Sequence, residues 1–180
     1  MDYMVVYTSK TGNTEKVAAE IFGVLPGGSK DIQRVEEVRG EADTYFVGFW
    51  NDKGTCSSNI MDFLSTLHGK KVALFGTCGF GGSEEYLKDV SRRVEALIPD
   101  DTKFLGSFLC GGKMPRQVLD HYKMMLEKKD TPQIRRMIQE YMQGMLHPDA
   151  QDLKNARSFA ADVLEKTAAL KERLHEKQCQ

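Results

Sequence analysis

Met4-Val5-Val6-Tyr7-Thr8-Ser9-Lys10-Thr11-Gly12-Asn13-Thr14 is the stretch whose reading decides the fold. Four apolar residues make a strand-like run. A loop rich in hydroxyls follows, and an amphipathic helical pattern begins at Glu15. A strand that turns straight into a helix presents backbone N–H groups with no intrahelical partner, at the positive end of the helix dipole. Ser9, Thr11 and Thr14 add hydroxyl donors, and Gly12 lets the backbone approach closely. Such a nest suits a phosphate. The plainer alternative is a capped helix, because Ser, Thr and Asn cap helices in every fold. The stretch lacks the Gly-Lys-Ser/Thr ending of a Walker loop, and one glycine does not make a G-x-G-x-x-G turn.

Working outward, Val17, Ala18, Ile21 and Leu25 give the first helix an apolar face, and Pro26-Gly27-Gly28 ends it. A weakly alternating strand at Asp31 to Val35 suits a sheet edge. Tyr45 to Trp50 is a buried strand that ends in the turn Asn51-Asp52-Lys53-Gly54-Thr55. Ser57 or Ser58 caps a helix carrying Ile60, Phe63, Leu64 and Leu67. Val72 to Phe75 is a fourth strand, followed by the glycine-rich Gly76-Thr77-Cys78-Gly79-Phe80-Gly81-Gly82. Ser83 opens a helix with Leu87, Val90, Val94 and Leu97 on one face. Phe104 to Leu109 is a fifth strand, ending at Cys110-Gly111-Gly112.

Strands alternating with helices imply parallel pairing and a doubly wound α/β sheet. Five strands favour the order 2-1-3-4-5, with ligands bound outside the carboxyl ends at the switch point. Three loops of unusual composition meet there: 8–14, 50–55 and 77–82. The tail adds two helical patterns between Pro115 and Leu146, then a long last helix that can cover one face of the sheet. Residues 1–180 read as a single domain with a helical insertion at 113–147. Six of the nine methionines lie between Met114 and Met145. They read first as core packing and second as an adaptable contact surface.

The chain has 180 residues, 41% hydrophobic and 28% charged, with a net charge of -1. That balance is globular and carries no nucleic-acid footprint. No apolar run approaches the ~20 residues that span a membrane, and no signal peptide is visible, so the expected location is cytoplasmic. Cys56, Cys78, Cys110 and Cys179 are far apart without a C-x-x-C, which reads as free thiols rather than a metal or dithiol site.

The pattern Ser9-Lys10-Thr11-Gly12-Asn13-Thr14 after the first strand, with the two later loops, resembles the flavodoxin family over roughly Met1 to Gly112 and the last helix. The resemblance implies FMN as cofactor. Ser9, Lys10, Thr11, Gly12, Asn13 and Thr14 would hold its phosphate. Trp50, Asn51, Asp52 and Gly54 on one side, and Thr77, Cys78, Gly79, Phe80 and Gly81 on the other, would clasp the ring. Trp50 and Phe80 are the aromatics placed to stack, which adds about 0.5–1.5 kcal/mol per pair beyond burial; a strand-end core residue and a loop anchor are their plain alternatives. Gly54 resembles the position whose peptide flip meets the one-electron-reduced flavin, since glycine switches conformation without a Cβ penalty. Asp52 is either a turn former or a negative charge that lowers the flavin potential. Cys78 reads as a small packing residue, with no His or Lys partner to activate it.

The implied function is an electron carrier that shuttles electrons from a reductase to a partner enzyme, as a monomer or weak dimer. Flavodoxins are usually strongly acidic, and this nearly neutral chain points to a dedicated partner. The insertion is a candidate surface for reading that partner. The loop from Trp50 to Thr55 also resembles that of flavodoxin-like proteins of anaerobes encoded beside flavin reductases, including the small partner of bilirubin reductase. The rival readings are an NAD(P)H-dependent FMN reductase of quinone-type acceptors and a binding module without flavin.

Overall fold

In the computed structural model, which describes residues 1–79 and 83–178 with side chains through Arg173, the apolar runs pair as one parallel sheet. Its strands are β1 Tyr3–Tyr7, β2 Lys30–Arg34, β3 Thr44–Trp50, β4 Lys71–Cys78 and β5 Lys103–Gly111. They stand in the order β2-β1-β3-β4-β5, as the strand count suggested.

Side-chain alternation sends the two halves of each strand to different layers. Val5, Phe46 and Ala73 are in register on one face. There they meet Val17, Ala18 and Ile21 of α1 (Asn13–Val24) and Ala156, Ala160 and Val163 of the last helix. Met4, Val6, Val47 and Leu74 face the other way, onto Ile60 and Leu64 of α2 (Ser58–Ser65) and Val90 and Val94 of α3 (Glu84–Glu95). Every residue of β2 is half-buried, as an edge strand with one covered side should be.

The sequence reading misplaced several boundaries. Helix α1 starts at Asn13 rather than Glu15. β2 stops at Arg34, and Val35 opens a short 3-10 turn to Glu37. β4 continues through Gly76, Thr77 and Cys78, which composition alone assigns to a loop. The pairs Trp50↔Thr77 and Cys78↔Gly111 explain the extension, because β4 has a ladder on both sides. Glycine content argued for a turn, and two neighbouring strands overrode it.

The insertion is a helical pair, α4 (Arg116–Lys128) and α5 (Pro132–Gly144), before α6 (Ala150–Gln178). Thr131 caps α5 by accepting from the Ile134 N–H at 3.3 Å, with Pro132 at the first turn. α4 buries none of its residues, and α5 buries Ile134 and Tyr141. Core packing is therefore not the role of the six methionines. None is buried, and Met124, Met142 and Met145 are exposed. The pair lies outside the two helical layers, so little covers it. No helix among the described residues is long and apolar enough to cross a membrane.

Candidate functional site

The loop between β1 and α1 is held from three sides. Gly12 has φ +81, a left-handed conformation that favours glycine, and its N–H donates to Ser9 Oγ at 3.1 Å. Thr14 is buried, and its hydroxyl meets that of Thr77 at 2.9 Å, tying the helix start to the end of β4. Asn13 is buried as well. Its amide donates to Thr11 Oγ1 at 2.7 Å and to the Lys113 carbonyl at 2.8 Å. Asn13 and Thr14 thus brace the loop through their side chains. What remains for an anion is the first turn of α1 with its unpaired N–H groups, together with the exposed Thr11.

The loop after β3 is a tight turn. Asp52 and Thr55 exchange both backbone hydrogen bonds, at 2.8 and 3.2 Å. Lys53 has φ +53 and Gly54 φ +92, the two positive values of a type I′ turn. Asn51 anchors the turn. Its side-chain oxygen accepts from the Gly54 N–H at 2.9 Å, and its amide donates to Tyr86 Oη at 2.9 Å. Arg93 of α3 donates to the Gly54 carbonyl at 3.2 Å. That carbonyl is already engaged, so a flip of this peptide has a hydrogen bond to break first.

Between the loops lies a cleft of about 380 Å³ at the carboxyl ends of the strands. Its walls are Lys10, Thr11 and Asn13 from the first loop, Trp50, Asn51 and Lys53 from the second, and Thr77 and Gly79 from β4. Tyr86 of α3 and the segment Lys113-Met114-Pro115 complete it. Three walls carry lysines, and no carboxylate or histidine lines the cleft among the described residues. The Lys10 ammonium lies over the indole of Trp50, 3.9 Å from the ring centroid, within cation–π range.

The structure does not bring every candidate to the cleft. Ser9, Gly12, Thr14, Asp52 and Gly54 shape the loops without lining it. Cys78 turns into the core, where burial pushes its thiol up to about 12. A thiolate is therefore not available at neutral pH. Phe80 and Gly81 lie outside the described residues. Sequence reasoning passed over Lys53, Tyr86 and the whole wall after β5. The signal for that wall was Gly111-Gly112 followed by Pro115, a second glycine-rich strand end that composition had already displayed.

Two glycines let this fourth wall close. A Cβ on Gly112 would stand 2.9 Å from the Asn13 amide nitrogen and 3.2 Å from Thr77 Cβ. One on Gly144, at the end of α5, would stand 3.2 Å from the Gly79 carbonyl oxygen. The insertion therefore packs directly against the cleft, and Tyr141 adds a hydrogen bond to the Met114 carbonyl at 3.4 Å.

Comparison with known proteins gives the same architecture a lineage. The family model described as Flavodoxin domain matches residues 4–161. The flavodoxin-like domain-containing protein BilS of Clostridioides difficile (strain CD3) is 35% identical over 175 residues, covering 93% of this chain and 99% of that protein. BilS of Clostridium symbiosum (strain WAL-14163) is 34% identical over 182 residues, covering 88% and 94%. Among solved structures, oxidised flavodoxin 2 of Bacillus cereus superposes with a TM-score of 0.55 at 18% identity, covering 92% of this chain and 99% of that one. That last likeness speaks to the fold.

Proposed function

The chain belongs to the flavodoxin family, and from that premise we propose that it carries electrons from a reductase to a dedicated acceptor enzyme. FMN is the cofactor that family membership assigns. Bound, it supplies the redox chemistry, taking up and releasing electrons at its ring.

The observation that carries this reading is one cleft holding three things: a helix start with free N–H groups, three lysines, and the half-buried indole of Trp50. The chemistry fits FMN. Its phosphate needs N–H and hydroxyl donors, which the first turn of α1 and Thr11 offer. Its ring needs a flat apolar platform, which Trp50 offers with Tyr86 nearby. The volume is within the ~300–1,000 Å³ range of small-molecule sites. Thr14, Asn13 and Asn51 are positioning residues, because each spends its side chain on bracing a loop.

A carrier rather than a stand-alone enzyme is favoured by the cleft's inventory. No histidine or carboxylate lines it among the described residues, which leaves only Tyr86 and the lysines for acid–base work on a substrate. The exposed methionines beside the fourth wall, Met142 and Met145, suit an adaptable contact with a partner. Working in the cytoplasm accords with the free thiols of Cys56, Cys78 and Cys110.

The test is anaerobic. The FMN-loaded protein is mixed with NADPH alone, then with NADPH and a ferredoxin–NADP reductase. A carrier keeps its oxidised spectrum in the first mixture and bleaches in the second. Rapid bleaching by NADPH alone makes the protein an NAD(P)H-dependent reductase instead.

A further inference from the structure

Lys10 has two possible employments in the cleft, and the structure separates them. It belongs to the loop where a phosphate would sit, yet its ammonium lies 3.9 Å from the centroid of the Trp50 ring. The charge is thus carried away from the phosphate end and delivered to the aromatic platform. Lys53 and Lys113 line the same cleft, and no described lining residue carries a compensating negative charge. Asp52, which the sequence leaves as either a turn former or a potential-lowering charge, serves the type I′ turn and is not part of the lining.

Resting on the proposed FMN reading, we infer that Lys10 is a potential-setting residue that stabilises the reduced flavin over the oxidised one. The full reduction takes two electrons from the reductase and one proton from solvent, and leaves one net negative charge on the ring. An ammonium held at the aromatic platform favours that state, because opposite charges a few ångströms apart attract. The phosphate carries the same charge in both redox states. A lysine that served the phosphate would strengthen both affinities equally, whereas one that serves the ring strengthens only the reduced affinity. The two roles therefore differ in a ratio, not in a binding constant.

The experiment measures FMN affinity of the oxidised and dithionite-reduced protein, with the two-electron midpoint potential, for wild type, Lys10→Met, Lys10→Arg and the surface control Lys16→Met. Lys10 is exposed, so the variants should fold. The expected result is that Lys10→Met lowers the ratio of reduced to oxidised affinity about tenfold, equal to about 30 mV for a two-electron couple. Lys10→Arg should keep most of the ratio, and Lys16→Met should leave it unchanged. Equal weakening of both affinities by Lys10→Met makes Lys10 a phosphate ligand and overturns the inference, as does no change in either. Failure of the wild-type protein to bind FMN overturns the parent reading itself, so the two failures are distinguishable.

Discussion

The hydroxyls of Thr14 and Thr77 meet at 2.9 Å, one on the first turn of α1 and the other at the end of β4, both buried. The contact joins the anion end of the cleft to its aromatic end. Replacing Thr14 by Val leaves the buried Thr77 hydroxyl at the cleft wall without its partner, at a cost of about 1–3 kcal/mol. Thr14→Val with Thr77→Val should cost less than Thr14→Val alone, because neither polar group is then left over. Urea unfolding of the three variants checks this. A double variant less stable than either single one contradicts it.

Gly112→Ala should weaken FMN binding about tenfold, roughly 1.4 kcal/mol, with a smaller effect on folding. The added methyl pushes on Asn13, the side chain that ties the first loop to the Lys113 carbonyl. Flavin fluorescence titration reads the affinity, and unfolding in denaturant reads the stability.

Gly54→Ala carries two separable penalties. The φ of +92 disfavours any L side chain, by roughly 1–2 kcal/mol. The new Cβ would also lie 2.5 Å from Arg93 Nη1. Adding Arg93→Ala should recover the second part and leave the first. A double-mutant cycle by thermal unfolding measures the coupling. A mechanistic test by Gly54→Pro is less clean, since proline cannot adopt that φ and removes the N–H that Asn51 accepts.

Thiol chemistry should be silent in the folded state at Cys56, Cys78 and Cys110, the three cysteines among the described residues. Burial raises the pKa of Cys56 and of Cys110 and lifts that of Cys78 to about 12. At pH 8 all three are therefore protonated as well as covered. Iodoacetamide should leave these three peptides unmodified by mass spectrometry until denaturant is added. Rapid labelling of Cys78 in native protein contradicts the placement of its side chain in the core.

Much of this architecture was legible in the sequence, for identifiable reasons. Val5, Phe46 and Leu74 lie in short apolar runs separated by amphipathic helices, and right-handed crossovers leave few ways to arrange such runs. The loop from Ser9 to Thr14 announced an anion site through residue type alone. The side-chain division of labour did not announce itself. Asn13 and Thr14 look like phosphate ligands by composition, and only the position of Lys113 and Thr77 shows that they brace the loop. Lys53 was invisible as a cleft residue because a lysine at positive φ in a type I′ turn carries no compositional mark. The wall at Lys113-Met114-Pro115 depends on a packing more than 90 residues distant from its partner loop, which local pattern cannot register.

The most direct test of the account is a titration of the flavin-free protein with FMN and with riboflavin, following flavin fluorescence and Trp50 emission together. Trp50 is the chain's only tryptophan, so its emission reports the cleft alone. The account predicts saturable one-to-one binding of FMN with quenching of Trp50, and binding of riboflavin at least tenfold weaker for want of the phosphate. Equal affinity for the two flavins, or no quenching as FMN binds, would contradict it.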